Sequence, residues 1–418
     1  MSMLFRRSDS PPEVSTSSVP DQDPLSWVSN ILWPDGTARL ALEDRHRSNG
    51  ETQARWWASP STQQPRILIP AESMVVARRA VRRYHDGVDL QHWTRSHVAE
   101  IMMSLPPVAH CLLGDRVVVV DGPADSIRQG VLGGLQELLG LDNLSFAISL
   151  AAPKTNRKPV IQILDETGLV LGWAKIAWNS WTEGLVANEA RWLSPPSPKP
   201  PIIVPTLLED TVLFGRRVVV TSSIAAGRRF RTLNSAQPDP GVLRAIAAMG
   251  STSRRPVAES AWWASVVRVL PVADDWERQS IDSAAADADG IAFSLGAWHG
   301  DFTPWNVMTA RGLAQVIDWE FAADEVPLGF DLHHYHTQVA SERLRLVPDE
   351  ALDYSARHSP QGLSLLGIVD PHTQIATWKL YLVELIRRTL ALRAAGQPTA
   401  DVRHGQAAVR RLARMQLS

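Results

Sequence analysis

Apolar and polar positions alternate along this 418-residue chain in different ways from one part to the next. Residues 1–25 are rich in Ser, Pro and Asp and read as a disordered leader. From Trp27 to about Pro65, single apolar residues sit between turn formers (Pro34-Asp35-Gly36, Ser48-Asn49-Gly50), which predicts irregular structure with short strands. Arg66 to Pro70 and Arg116 to Val120 have the short apolar runs of strands. Ala71 to Tyr84 has a helical period with its arginine pairs on one face, and Ala124 to Leu139 reads as a helix that Gly140 stops. Further strands are predicted at Phe146–Leu150, Pro159–Leu164 and Val170–Trp178. A hairpin follows around Gly215, with Val212–Phe214 and Arg217–Thr221 as its strands. The proline-rich stretch from Ser194 to Pro205 reads as a loop or extended linker. Helices are expected at Pro240–Met249, Glu259–Leu270, Asp275–Ala286 and Thr373–Ala395, with Gly396 and Pro398 closing the last. A final helix is expected from Ala400 to Leu417.

Composition narrows the class. Hydrophobic residues make up 44% and charged residues 21%, the balance of a globular chain with room for two or three domains. The formal net charge of −2 provides no bulk basic field for nucleic acid. Cys111 is the single cysteine, which excludes an intrachain disulfide and a cysteine-built zinc site. No apolar run is long enough to span a bilayer, and the N-terminus lacks the apolar core of a signal peptide, so a cytoplasmic protein is expected. Sixteen tryptophans either stiffen a core or line a site, and composition does not choose between them.

The chemistry concentrates in Trp298-His299-Gly300-Asp301-Phe302-Thr303-Pro304-Trp305-Asn306-Val307-Met308 and Val316-Ile317-Asp318-Trp319-Glu320. Short apolar strands joined by a tight loop would bring Asp301, Asn306 and Asp318 to one end of a small sheet. Two carboxylates and an amide are the kit of phosphoryl transfer: one carboxylate orients the acceptor hydroxyl, and hard oxygens hold magnesium against nucleotide phosphates. Taken singly, an Asp or Asn near a turn is more often a cap. Lys175 is a separate signal, a lysine within the apolar strand pattern VLGWAKIAW that is costly to bury without a partner.

With H-G-D-x-x-x-x-N followed by I-D-W, the chain resembles the aminoglycoside phosphotransferase and choline kinase branch of the kinase-like fold. The resemblance runs with motifs over residues 145–340. It implies an α+β bilobal fold, with a small β-sheet N-lobe and a mainly helical C-lobe, and ATP and Mg²⁺ in the cleft between them. The expected division is a leader at 1–26, an accessory α/β region at 27–140, an N-lobe at 141–225 and a C-lobe at 226–418. By the same resemblance Asp301 orients the acceptor hydroxyl, Asn306 and Asp318 ligate magnesium, and Lys175 grips the phosphates with Glu189 as its partner. The segment Thr221 to Ala225, with Ser222 and Ile224, implies a hinge beside the adenine. His299 is expected to support the loop, and Asp331 to act as a helix N-cap.

The chain departs from the pattern in the loop from Ala151 to Lys158, which has no glycine. Lys154, Arg157 and Lys158 either supply charge to phosphates there or form a solvated basic turn. Arg228, Arg229 and Arg231 either face an anionic acceptor or form a solvated face. Trp262, Trp263 and Trp276 suit core positions better than a stacking platform. Glu320 is either a supporting group or a surface carboxylate. His333, His334 and His336 are spaced too closely for one metal-binding helix face. The expected activity is phosphorylation of a hydroxyl on a small polar metabolite that is aminoglycoside-, sugar- or choline-like. Two alternatives are a non-catalytic nucleotide- or partner-binding protein and a kinase acting on a peptide.

Overall fold

An Asp-Pro step starts the first helix, α1 (Pro24–Leu32), in what is a computed structural model of the chain. The structure describes residues 23–43, 54–84, 117–123, 125–151, 154–194, 200–224, 228–229, 237–399 and 402–416. The Asp23 carboxylate accepts from the Ser26 N–H at 2.8 Å, and Pro24 occupies a first-turn position where its missing N–H costs nothing. Leu25, Val28, Ile31 and Leu32 then bury one helical face. This corrects two expectations: Pro24 and Leu25 lie in a helix, not in the leader, and the stretch from Trp27 continues that helix. The expected turn at Ser48-Asn49-Gly50, Cys111, the prolines at 195–199, Ala225 and Arg231 lie outside the described residues.

In chain order there follow β1 (Arg39–Leu42), β2 (Arg55–Ser59), β3 (Ile67–Pro70), α2 (Met74–Tyr84), β4 (Val117–Asp121), α3 (Val131–Leu139) and β5 (Ser145–Ser149). Next come β6 (Val160–Leu164), β7 (Val170–Ile176), α4 (Ser180–Leu193), β8 (Ile202–Ile203), β9 (Leu207–Leu213) and β10 (Arg216–Ser222). Helix α3 is shorter than its pattern suggested. Gly130, its N-cap, is extended, and Gly133 packs so closely on the Arg128 backbone that an added Cβ would lie 2.4 Å from the Arg128 Cα. Gly140 ends the helix in the left-handed region at φ 65°.

Nine of these strands form one sheet in the order β1-β4-β2-β3-β5-β6-β7-β10-β9. Every adjacent pair is antiparallel. The sheet runs without a break from the N-terminal strands into the lobe that follows, because Ile67 and Leu68 of β3 pair with Ser149 and Ile148 of β5. Strand alternation builds a separate core on each face. Trp56, Leu68, Ile148, Ile161, Ala174 and Ile176 face α1 and α3, while Trp57, Ile67, Ile69 and Ala147 face α2. Helix α4 covers Ala177 and Val219 with Val186 and Ala190.

The C-terminal half contains β11 (Arg228–Arg229), α5 (Pro240–Ala247), β12 (Ser253–Pro256), α6 (Ala261–Val269), α7 (Asp275–Asp287), β13 (Ala292–Trp298), β14 (Val307–Ala310), β15 (Leu313–Val316) and β16 (Ala323–Pro327). It ends with α8 (Phe330–Gln338), α9 (Pro348–Leu365), α10 (Pro371–Ala394) and α11 (Arg403–Gln416). Helix α9 has no counterpart in the sequence reading. It is rich in polar residues and carries Pro360 in its interior, so its apolar period is faint. Two small sheets, β12-β13-β16 and β11-β14-β15-β8, carry the central loop between β13 and β14. Trp262 is core, packed edge-on against Phe330 at 5.1 Å, whereas Trp276 is exposed. Among the described residues no helix is long and apolar enough to cross a membrane.

Candidate active site

Lys175 reaches the space between the two halves because of strand alternation. Ala174 and Ile176 are buried toward α1 and α3, so Trp173 and Lys175 take the opposite face of β7. Helix α4 brings Glu189 to that face. Its start is specified by Asn179, which accepts from the Thr182 N–H at 2.8 Å, while the Thr182 hydroxyl accepts in return from the Asn179 N–H. Lys175 Nζ lies 2.5 Å from Glu189 Oε2, 2.5 Å from Asp318 Oδ1 and 4.0 Å from Glu320 Oε2. Burial works against the charge on Lys175, but Asp318, Glu189 and Glu320 outweigh it and raise its pKa above the ordinary lysine value.

Asp318, two residues beyond β15, is in the left-handed region at φ 71°, a conformation unusual for a residue with a side chain. Burial alone would raise its pKa, yet Lys175 and Lys158 hold it down at about 2, so it is ionised at neutral pH. The short 3₁₀ turn Trp319–Phe321 follows, and the Asn188 side chain of α4 donates to the Glu320 and Ala322 carbonyls at 3.0 and 2.9 Å. Glu320 is 3% exposed and paired with Lys158, which excludes the surface-carboxylate alternative. Burial, with Asp318 and Glu189 nearby, pushes its pKa up to about 7 although Lys158 pulls the other way.

The loop from His299 to Asn306 is held by hydrogen bonds from several elements. Asn306 Nδ2 donates to both the Asp301 carbonyl and Asp301 Oδ2 at 2.9 Å, and the Asn306 carbonyl accepts from the Ile317 N–H at 3.0 Å. His299 Nδ1 accepts from the Asp301 N–H at 3.2 Å, so the ring carries its proton on Nε2, 2.9 Å from the Ile317 carbonyl. Burial holds the His299 pKa at about 4, which keeps the ring neutral and suits a supporting role. Gly300 is at φ 82°, and a Cβ there would lie 2.2 Å from the Phe321 carbonyl oxygen, so this position requires glycine. Asp331 is not the N-cap expected of it. The cap position is Gly329, and the Asp331 carboxylate instead accepts from the His299 and Gly300 N–H groups at 2.9 and 3.2 Å.

Side chains far along the chain complete this support, where the sequence pattern suggests only a solvated basic helix face for Arg387 and Arg388. Arg388 of α10 donates to the Gly300 carbonyl at 2.6 Å and to Glu384 at 2.8 Å. Glu384 is fully buried and also accepts from Arg387 at 2.6 and 2.7 Å and from Trp262 Nε1 at 2.8 Å. The Glu384-x-x-Arg387-Arg388 spacing on a helix was a readable ion-pair signal. Nothing in it pointed to Gly300.

A cavity of about 290 Å³ lies between the halves. Lys175, Glu189, Ser222, Ile224, Asn306 and Asp318 all line it, with Trp173, Val160, Met308 and Ile317 as its apolar walls. Trp173 was also missed, although its position two residues before Lys175 on a strand put it on the same face. In the segment expected to form the hinge, the Ser222 and Ser223 N–H groups bond the Thr206 and Leu171 carbonyls at 2.8 and 3.2 Å. Asp301 does not line this space and is joined to it through its hydrogen bonds with Asn306.

Two predicted residues are committed elsewhere. Arg157 stacks its guanidinium 3.7 Å over the Trp27 ring and donates to the Leu150 carbonyl at 2.9 Å. Lys158 is 7% exposed and pairs with Glu320, so neither is part of a solvated basic turn. In the same loop the Thr155 hydroxyl donates to the Pro398 carbonyl at 2.9 Å.

A strand lysine paired with a helix glutamate faces an Asp/Asn loop and a second Asp across one cleft, the arrangement of protein kinases and their relatives. This is a kinase-like fold. No protein-family model matches the chain, and no curated protein does. Among solved structures the kinase-like chain is similar to an apo form of a thermostable mutant of aminoglycoside phosphotransferase APH(4)-Ia, at 18% identity over 66% of this chain and 97% of that one, with a TM-score of 0.42. It is also similar to macrolide 2′-phosphotransferase MphH from Brachybacterium faecium, at 16% identity over 69% and 97%, with a TM-score of 0.42. A choline/ethanolamine kinase family protein from Mesorhizobium loti gives 15% identity over 65% and 88%, with a TM-score of 0.40. Likeness at this level determines nothing about substrate.

Proposed function

We propose that this chain is a phosphotransferase that uses ATP and Mg²⁺ to phosphorylate a hydroxyl of a small polar molecule. The observation that carries the reading is the junction of Lys175, Glu189, Asp318 and Asn306 at a single cleft, with Asp301 hydrogen-bonded to Asn306. Lys175, held by Glu189, grips the nucleotide phosphates, and Ser222 and Ile224 flank the base. The Asn306 amide oxygen and the Asp318 carboxylate are hard oxygen donors that suit magnesium. The carboxylates of Glu189, Asp318 and Glu320 also offer oxygens within 4.8 Å of one another, but as a cluster these surround the Lys175 and Lys158 ammonium groups and are not counted toward the magnesium site. When bound, the ion would neutralise charge on the phosphates. Asp301 orients the acceptor hydroxyl and takes its proton. Arg157 and Lys158 are left out of this site, because both charges are already held by neighbours.

The test is thermal stability with ATP, with and without magnesium, on wild type and Asp318→Ala. A ligand at about a hundred times its Kd adds roughly 2.7 kcal/mol, which is read as a raised melting temperature. The expected result is a magnesium-dependent rise that Asp318→Ala abolishes. The absence of any rise with ATP or GTP would favour a non-catalytic protein instead, the reading that the glycine-free loop and its Thr155–Pro398 contact support.

A further inference from the structure

Asp301 has a second side-chain partner that the phosphotransfer reading does not use. His334 of α8 places Nε2 3.1 Å from Asp301 Oδ1, on the carboxylate oxygen opposite the one bonded by Asn306. The ring is 4% exposed and packs edge-on between Trp298 at 6.4 Å and Tyr381 at 6.3 Å. The Tyr381 hydroxyl of α10 lies 3.3 Å from His334 Nδ1. Burial lowers the His334 pKa, with Arg388 adding to that effect and Asp301 and Glu384 opposing it, and the net direction favours the neutral ring. A neutral ring has one proton, and a carboxylate neighbour calls for that proton on Nε2. Nδ1 is then an acceptor, and the tyrosine hydroxyl is its donor.

We infer that His334 is a positioning residue for Asp301: with Asn306 on one oxygen and His334 Nε2–H on the other, the carboxylate is fixed in rotation so that its remaining lone pairs meet the acceptor hydroxyl. Asn306 alone leaves the carboxylate free to swing about the bond it shares with the loop. The second hydrogen bond comes from helix α8, outside the loop, and removes that freedom. Tyr381 selects the tautomer that makes this bond available. The inference rests on Asp301 being the residue that receives the acceptor proton.

The test compares full-length wild type with Asp301→Asn, His334→Gln and His334→Asn. ADP formation from Mg-ATP is measured against a mixed panel of amino sugars, sugars and amino alcohols, together with melting temperatures. The glutamine amide nitrogen reaches about as far as Nε2, so His334→Gln is expected to keep activity within about threefold. Asparagine stops near the Nδ1 position, and His334→Asn is expected to lose about a hundredfold in kcat, with KM for Mg-ATP unchanged. Both variants should melt close to wild type. If both lose activity equally, or neither does, while Asp301→Asn is inactive, the positioning role is overturned and the phosphotransfer reading survives. If wild type makes no ADP and Mg-ATP leaves its melting temperature unchanged, the phosphotransfer reading fails and this inference fails with it. A readout that needs no acceptor is the ¹⁵N spectrum of the histidine rings, with His334 identified by its loss in His334→Gln. A neutral Nε2–H ring is expected, and an Nδ1–H ring would overturn the proposal even where His334→Asn does not fold.

Discussion

Two loops approach the same cleft, one between β5 and β6 and the other between β13 and β14, and they differ in how their polar groups are used. In the second, the side chains of Asp301 and Asn306 bond each other and Asn306 lines the cleft, while backbone groups of the loop are held from outside by Asp331 and Arg388. In the first, the polar groups are spent on the protein itself: Arg157 on Trp27 and Leu150, Lys158 on Glu320, Thr155 on Pro398. Both loops are polar in sequence. Only the partners separate a loop that presents chemistry from one that closes a structure.

The comparison breaks most visibly at Asp301. Asp301→Asn is expected to slow phosphoryl transfer by about a hundredfold to ten-thousandfold while Mg-ATP still binds, as read by turnover beside a binding titration. Full activity in that variant would leave the second loop without its assigned role. Next comes Lys158→Met, which strands a buried carboxylate and should cost about 3–5 kcal/mol in urea unfolding. Adding Glu320→Gln should recover most of that loss, with Mg-ATP affinity within about threefold of wild type. A tenfold weaker affinity in the double variant would return Lys158 to the phosphates and undo the contrast between the loops. The smallest effect belongs to Arg157→Met, which gives up the stacked cation over Trp27 for about 2 kcal/mol of stability. Nucleotide binding should not change, and a change would mean that Arg157 reaches the cleft after all.

Much of the candidate site could be read along the chain because its parts are close in sequence. Asp301 and Asn306 share one loop, and Asp318 ends the hairpin that follows. Lys175 announced itself as a charge in an apolar strand, and Glu189 was the carboxylate on the next helix that could reach it. Their meeting in one cavity is a matter of strand alternation and helix phase, and both leave a period in the sequence. The N-cap assigned to Asp331 failed for a local reason: a left-handed Gly329 took the cap position, and the carboxylate was left to serve the loop.

The sequence by itself therefore determined most of the elements, the central motif and the lysine that opposes it, since each depends on neighbours a few residues away. Tertiary structure decided the rest. It joined the N-terminal strands to the kinase-like sheet through the β3–β5 pairing, and it set Arg388, Glu384 and Tyr381 behind the central loop. It also turned Lys158 toward Glu320 and brought His334 to the free oxygen of Asp301. The reason is physical: a buried charge or ring takes whichever partner the packed chain brings within hydrogen-bond reach, and sequence distance carries no record of that choice.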